Sequence, residues 1–130
     1  MSVTGPKRRI LFVDDDTIAS ELAQNYLSEW FDVEVASTGE EAVQACLKSP
    51  PDLILMDLMM PGTTNYEGSE AIHRLTTDPK TSAIPIIIQT GFDDARLLIL
   101  IGRAPNIAGV LIKPFEMALM KKKIDVILSK

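Results

Sequence analysis

Short, uninterrupted apolar runs alternate with longer stretches of helical patterning, and this alternation constrains the fold most. The runs are residues 10–13, residues 53–56, Ile84 with residues 86–88, and residues 110–112. Continuous apolar runs of this length are typical of strands that are buried on both faces of a parallel sheet. Residues 31–35 instead alternate apolar with charged side chains, which predicts a half-exposed edge strand.

A helical pattern follows each predicted strand. The first helix begins after the capping residues Asp16 and Thr17, and its buried stripe is predicted to be Ile18, Ala19, Leu22, Ala23, Tyr26, Leu27 and Trp30. A second helix follows the capping-box pair Thr38 and Glu41, buries Cys46 as core filler and ends at residues 50–51. Further helices are predicted from about Ser69 to 78–79, from about Asp93 to Gly102, and from about Phe115.

Strand followed by helix, five times, predicts an α/β fold. Because crossovers between parallel strands are right-handed, the elements form an open, doubly wound sheet between two helix layers, a flavodoxin-like (βα)5 three-layer sandwich. The alternating second strand belongs at an edge, which gives the strand order 2-1-3-4-5. A chain of 130 residues suits one compact domain, so a single domain is expected over 1–130, with its core at about 7–128.

Composition argues against several functions. A net charge of −5 disfavours direct binding of nucleic acid, which depends on Lys and Arg neutralising phosphates. No apolar run approaches the roughly 20 residues needed to cross a bilayer, and residues 1–9 lack the features of a signal peptide. A cytoplasmic protein without membrane insertion is therefore expected, and the single Cys46 fits a reducing compartment.

Polar side chains stand where the predicted strands end. Asp14, Asp15 and Asp16 follow the first strand, Asp57 ends the third, Thr90 the fourth and Lys113 the fifth. Ligands of doubly wound folds bind beyond these carboxyl ends. Converging carboxylates repel one another, and a hard cation such as Mg²⁺ or Mn²⁺ relieves that repulsion. A cation, an ammonium and a hydroxyl around one hollow can neutralise a phosphoryl group in transit.

Four segments of the chain resemble, in order, the signatures of bacterial response regulator receiver domains. They are ILFVDDD at 10–16, LILMDLMMPG at 53–62, IPIIIQTG at 84–91 and GVLIKPF at 109–115. The resemblance implies a signalling domain rather than an enzyme acting on a separate substrate. Such a domain takes a phosphoryl group from a phosphohistidine on a sensor histidine kinase or histidine phosphotransfer protein. It catalyses its own phosphorylation and dephosphorylation, and it signals to a downstream target protein by changing its surface.

The resemblance also implies roles for individual residues around the cation. Asp57 would be the nucleophile that receives the phosphoryl group. Asp15 would bind Mg²⁺ directly, Asp14 would assist through water, and the backbone carbonyl of Met59 would complete the protein ligands.

The same resemblance assigns the other side of the hollow. Thr90 would donate a hydrogen bond to the phosphoryl group, Lys113 would pair with it, and the peptide bond before Pro114 would be cis. Asp16 has no counterpart role and is interpreted as a helix cap.

Three features depart from the family pattern. Val110 stands where the family has an aromatic residue, so the usual ring rotation is in doubt and the switch is expected to use Thr90 and the loop after it. Residues 62–68 form a longer connection than usual, which either shapes partner access or is a neutral insertion. Residues 97–101 are all apolar and cover more than one helix face, which predicts either a homodimer or docking face or a deeply buried helix.

Two alternative functions stay open at this point. In a haloacid dehalogenase-like phosphatase, Asp14 would be the nucleophile and Asp16 the acid, but that pattern leaves the Asp57 segment unexplained. A receiver-like interaction module that is never phosphorylated would fit Val110, although it has no need for mutually repelling carboxylates. The resemblance to receiver domains also implies that Met59 and Phe92 would flank the site; neither has a polar group to orient water, which predicts slow self-hydrolysis.

Overall fold

A computed structural model describes residues 7–58, 67–91 and 101–129 of the chain. The strands are β1 (Arg9–Val13), β2 (Asp32–Ala36), β3 (Leu53–Asp57), β4 (Ile86–Thr90) and β5 (Ile107–Ile112). The helices are α1 (Thr17–Leu27), α2 (Gly39–Lys48), α3 (Glu67–Thr77) and a C-terminal helix (Met117–Leu128). Residues 101–103 are also helical.

The five strands form one parallel sheet in the order β2-β1-β3-β4-β5, which confirms the predicted topology. The strand order reverses between β1 and β3, so the chain leaves their carboxyl ends in opposite directions and opens a crevice there. In the adjacent pair of strands, β3 and β4, Asp57 lies opposite Gln89. Thr90 of β4 lies opposite Ile112 of β5.

Two apolar clusters fill the space on the two faces of the sheet. On one face, α2 and α3 pack against residues such as Ile54 and Ile86. On the other, α1 and the C-terminal helix pack against residues such as Leu55 and Ile87. All residues of β3 and β4 are buried, as expected for central parallel strands with helices on both sides. The three-layer prediction is thereby confirmed.

The fifth strand differs from its predicted description. Its apolar run predicted burial on both faces, but β5 is the second edge of the sheet and Ile112 is 44% exposed. The predicted strand order already placed β5 at this edge, but the short apolar run could not reveal that most of the strand is only partly covered. The strand also begins at Ile107, three residues before the apolar run, because the Ile86 backbone N–H bonds to the Asn106 carbonyl at 2.9 Å.

The first helix has its predicted cap but not its predicted buried stripe. The Asp16 carboxylate accepts hydrogen bonds from the backbone N–H groups of Ile18 and Ala19. Ile18, Leu22 and Trp30 are 68%, 55% and 36% exposed, so their predicted burial is wrong, and Trp30 lies beyond the end of α1. The buried residues of the helix are Ser20, Ala23 and Leu27. Their spacing of three and four residues forms a single narrow stripe, because α1 meets the sheet along one line only.

The second helix begins with a modified capping box. Thr38 Oγ1 accepts a hydrogen bond from the Glu41 backbone N–H at 3.0 Å, as predicted. The Glu41 carboxylate reaches the backbone N–H of Ser37 at 3.1 Å, one residue before the cap. Cys46 is fully buried in the core, and burial raises the pKa of its thiol to about 12. The interpretation of Cys46 as core filler is confirmed.

An aromatic contact joins α1 to the C-terminal helix. The Trp30 ring meets the Tyr26 ring edge to face, with 5.6 Å between centroids. The Lys121 ammonium lies 4.5 Å from the centroid of the Trp30 ring and also pairs with Asp125.

Within the described ranges, no helix combines the length and apolar character that crossing a bilayer requires.

Several predictions fall on residues that the structure does not describe. They are Met59, Phe92, the start of the predicted fourth helix at Asp93, most of the apolar run 97–101 with its dimer face, and residues 62–66 of the longer connection. Residues 67 and 68 of that connection are the first two residues of α3, which therefore begins two residues before the predicted Ser69.

Candidate functional site

Four strand ends bring polar groups to one rim of the sheet. Asp14 directly follows β1, Asp57 ends β3, Thr90 ends β4 and Lys113 directly follows β5. The Lys113 ammonium donates one hydrogen bond to Asp14 Oδ2 and one to Asp57 Oδ2, each at 3.0 Å. Residues separated by as many as 99 positions in the sequence therefore meet at one point. The predicted convergence of these groups is present in the fold.

Burial makes this contact electrostatically strong. Asp14 and Asp57 are each 2% exposed, whereas the Lys113 side chain is 35% exposed. Burial disfavours the charged form of Lys113, but the hydrogen bonds and charges of Asp57 and Asp14 outweigh it and raise the pKa of Lys113. The lysine is therefore a cation at neutral pH, and it partly compensates the two carboxylates beside it.

Asp15 completes a cluster of carboxylates. One carboxylate oxygen from each of Asp14, Asp15 and Asp57 lies within 4.8 Å of the others. Asp15 is partly exposed, so the cluster opens to solvent on its side. A few carboxylates beside open water suit a hard cation that keeps several water ligands, as Mg²⁺ does. The donor set therefore fits the cation that the sequence predicted.

Backbone hydrogen bonds hold the acidic turn (residues 14–16) in place. The Asp14 N–H donates to the carbonyl of Ala36 on β2 at 3.1 Å. Asp14 Oδ1 accepts a hydrogen bond from the Asp16 N–H at 3.0 Å, which turns the chain into α1. The carboxylate of Asp16 is exposed and caps that helix, as the sequence predicted. Asp16 therefore has a structural partner of its own and is not one of the three clustered carboxylates.

The opposite side of the site is fixed by β4 and β5. The Lys113 N–H donates to the Thr90 carbonyl at 2.7 Å, and the bond between Lys113 and Pro114 is cis, as predicted. Thr90 is 1% exposed at the end of β4. Val110 is partly buried and packs against the core cluster of α2 and α3. Its proposed effect on switching stays a prediction.

Sequence reasoning missed Gln89. This residue is fully buried on β4, directly before Thr90 and opposite Asp57. Its Nε2 donates a hydrogen bond to the carbonyl oxygen of Val13, the residue before Asp14, at 3.1 Å. A polar amide that interrupts the apolar run IIIQT in a strand buried on both faces was the signal that could have revealed it.

A parallel five-stranded sheet with carboxylates, a hydroxyl and a lysine at its switch point defines a doubly wound domain with a site for phosphoryl chemistry. Residues 10–125 match the sequence profile of the response regulator receiver domain. The chain therefore belongs to the response regulator receiver domain family, the signalling domain of two-component systems.

Individual relatives support the same assignment. Protein PilH of Pseudomonas aeruginosa is 34% identical over 122 residues, which are 93% of this chain and 98% of that protein. The DNA-binding response regulator MtrA of Mycobacterium tuberculosis is 33% identical over 111 residues, or 85% of this chain but only 46% of MtrA. The signal receiver domain of a signal transduction histidine kinase from Syntrophus aciditrophicus is 26% identical with a TM-score of 0.80, covering 94% of this chain and 90% of that one.

Proposed function

We propose that Asp57 is the phosphoryl acceptor of this receiver domain, with Thr90 and Lys113 as its catalytic partners. The observation that carries the proposal is the Lys113 ammonium, which bridges the buried carboxylates of Asp14 and Asp57 at 3.0 Å. An ammonium held between two carboxylates at the switch point is already placed for an incoming group that bears negative charge.

Phosphoryl transfer then follows from the positions of these groups. An Asp57 oxygen forms a bond to phosphorus while the bond between phosphorus and the donor nitrogen of a phosphohistidine breaks. The electron pair of the broken bond stays on the imidazole, which takes up a proton, and Asp57 becomes an acyl phosphate. Lys113 exchanges its contact with Asp57 for one with a phosphoryl oxygen, and the Thr90 hydroxyl donates to a second oxygen.

Asp14, Asp15 and Asp57 would hold Mg²⁺ or Mn²⁺, together with the backbone carbonyl of Met59. The support is the donor set itself, since oxygens from three carboxylates lie within 4.8 Å of one another. A cation bound there would neutralise phosphoryl oxygens and remove the repulsion between the carboxylates. Asp14, which is 2% exposed, would contribute mainly through its charge and through water.

The partners follow from the chemistry of the acceptor. The phosphoryl donor would be a sensor histidine kinase or a histidine phosphotransfer protein, and the output would be contact with a downstream target protein in the cytoplasm. Residues 7–128 would act as a single receiver unit that catalyses its own phosphorylation and dephosphorylation. The chain spans less than half the length of MtrA, so the outputs of such longer relatives are not carried over.

Two rival functions make different demands on the same residues. A haloacid dehalogenase-like phosphatase would use Asp14 as nucleophile and Asp16 as acid, but Asp16 instead caps α1 through Ile18 and Ala19. A receiver-like module that is never phosphorylated would not need Lys113 between two buried carboxylates. The cap made by Asp16 therefore argues against the phosphatase, and the position of Lys113 argues against the unphosphorylated module.

The test is to locate the phosphoryl group after incubation with acetyl phosphate and Mg²⁺. Intact-protein and peptide mass spectrometry should show one phosphoryl group on Asp57, and the addition should disappear in Asp57→Asn. The matched control is Asp32→Asn. Asp32 is exposed at the amino end of β2, away from the rim that carries the site, so this substitution should leave labelling unchanged. Label on Asp14 would instead support the phosphatase, and absence of both label and Mg²⁺ binding would support the interaction module.

A further inference from the structure

The Gln89 side chain on β4 reaches past β3 and forms a hydrogen bond with β1 beside the site. Its Nε2 bonds to the carbonyl of Val13 at 3.1 Å, although β3 lies between the strands that carry the two residues. Alternation along β4 places Gln89 on the same face as Ile87, and alternation along β3 places Asp57 on the same face as Leu55. Ile87 and Leu55 belong to one core cluster, so the Gln89 amide crosses the sheet on the face that carries Asp57.

The backbone of the same residue fixes a second part of the site. The carbonyl oxygen of Gln89 accepts a hydrogen bond from the N–H of Leu58 at 3.2 Å, directly after Asp57. Gln89 thus contacts the residue after Asp57 through its backbone and the residue before Asp14 through its side chain. One residue therefore relates the positions of two segments that carry the clustered carboxylates.

Only one side of the Gln89 amide has a hydrogen-bond partner among the described residues. A carbonyl oxygen only accepts hydrogen bonds, so Val13 requires the Nε2 side of the amide, and this contact fixes the amide orientation. Among the residues that the structure describes, the Oε1 atom of Gln89 has no hydrogen-bond partner although it is buried. Burying an unpaired acceptor has a free-energy cost similar to the gain from one hydrogen bond. An apolar side chain of the same length would serve the core at least as well.

We propose that Gln89 is a positioning residue of the phosphorylation site, which sets the separation between Asp57 and the acidic turn and thereby the affinity for the divalent cation. This inference rests on the proposed function. Substitution of the amide would let the turn and the end of β3 shift relative to each other. The carboxylates would then have to be drawn together by the cation, which weakens its binding.

The test compares Gln89→Met with Ile87→Met. Both replace a fully buried side chain on the same face of β4, but only the first removes the amide. Mg²⁺ affinity would be measured by NMR titration of the backbone amides with MgCl₂, and stability by urea denaturation without Mg²⁺. Gln89→Met should raise the dissociation constant of Mg²⁺ about fivefold, as expected for loss of one hydrogen bond, while its urea midpoint stays at or above that of Ile87→Met.

The outcomes separate this inference from the proposed function. If the wild-type protein binds Mg²⁺ and is labelled on Asp57 but Gln89→Met binds Mg²⁺ equally well, the positioning role is wrong and the proposed function stands. An equal loss of affinity in Ile87→Met would show a general packing effect and would also overturn the role. If the wild-type protein neither binds Mg²⁺ nor is labelled, both proposals fail. Gln89→Leu provides a second amide-free variant should the methionine side chain disturb folding.

Discussion

Replacement of Lys113 by methionine should reveal how strongly the two buried carboxylates depend on it. Methionine keeps an unbranched side chain but removes the ammonium that donates to Asp14 and Asp57, each at 3.0 Å. The carboxylates, each 2% exposed, would then lie close together without the ammonium between them. The substitution should therefore lower the free energy of unfolding and make the protein more dependent on Mg²⁺.

The magnitude follows from burial and exposure. Removing one partner of a fully buried ion pair costs roughly 3–5 kcal/mol, because a buried charge is left uncompensated. The Lys113 side chain is 35% exposed, so water screens part of the interaction and lowers the expected cost to about 2 kcal/mol. Mg²⁺ at ten times its dissociation constant stabilises a protein by about 1.4 kcal/mol. Because the ammonium no longer competes with the cation, a given Mg²⁺ concentration should stabilise Lys113→Met more than wild type.

The assay is urea denaturation followed by far-ultraviolet circular dichroism, with and without MgCl₂. Lys122→Met is the matched control, since Lys122 is exposed on the C-terminal helix and its replacement should change stability by less than about 0.5 kcal/mol. If Lys113→Met without Mg²⁺ were as stable as the wild-type protein, the electrostatic reasoning would be wrong. Equal stabilisation of both proteins by Mg²⁺ would refute the competition between lysine and cation.

Three further predictions concern other parts of the site. Asp16→Ala should lower the unfolding free energy by about 1 kcal/mol through loss of the α1 cap, with unchanged Mg²⁺ affinity in NMR titration; weakened Mg²⁺ binding would contradict the structural role. Because the pKa of Lys113 is raised on folding, its stabilising contribution should be complete below the ordinary lysine value of 10.5 and disappear as pH rises through the higher folded value. The stability difference between wild type and Lys113→Met should therefore shrink only in strongly alkaline buffer, and a loss near neutral pH would be inconsistent with it. Phosphorylated protein should lose its label slowly, because Met59 and Phe92 offer no group to orient water, and loss within seconds in a single-turnover assay would contradict this.

The sequence was most informative where the chemistry and the topology depend on the same residues. Asp14, Asp57 and Lys113 each stand where an apolar run ends. Because the strands are parallel, these ends all lie at the same rim of the sheet. Carboxyl ends of parallel strands share an edge, and this rule needs no knowledge of side-chain packing. The convergence of charged groups could therefore be predicted before their distances were known.

Packing was less predictable because apolar identity does not reveal which neighbour covers a residue. Ile18 and Leu22 have the helical spacing of a buried stripe, yet they are more than half exposed. Ile112 is 44% exposed although it belongs to an apolar run that predicted burial on both faces. Gln89 was missed for the opposite reason, since its role depends on a carbonyl 76 residues away that no local pattern can indicate.

The single tryptophan of the chain lies at the far end of α1 from the acidic turn, where its ring meets Tyr26 and Lys121. Tryptophan fluorescence of the native protein therefore reports on the contact between α1 and the C-terminal helix. A change in emission during unfolding marks the separation of these two helices. Quantum yield at this ring should respond weakly to events at the opposite end of the helix. A tryptophan introduced near the rim would provide an optical signal for cation binding.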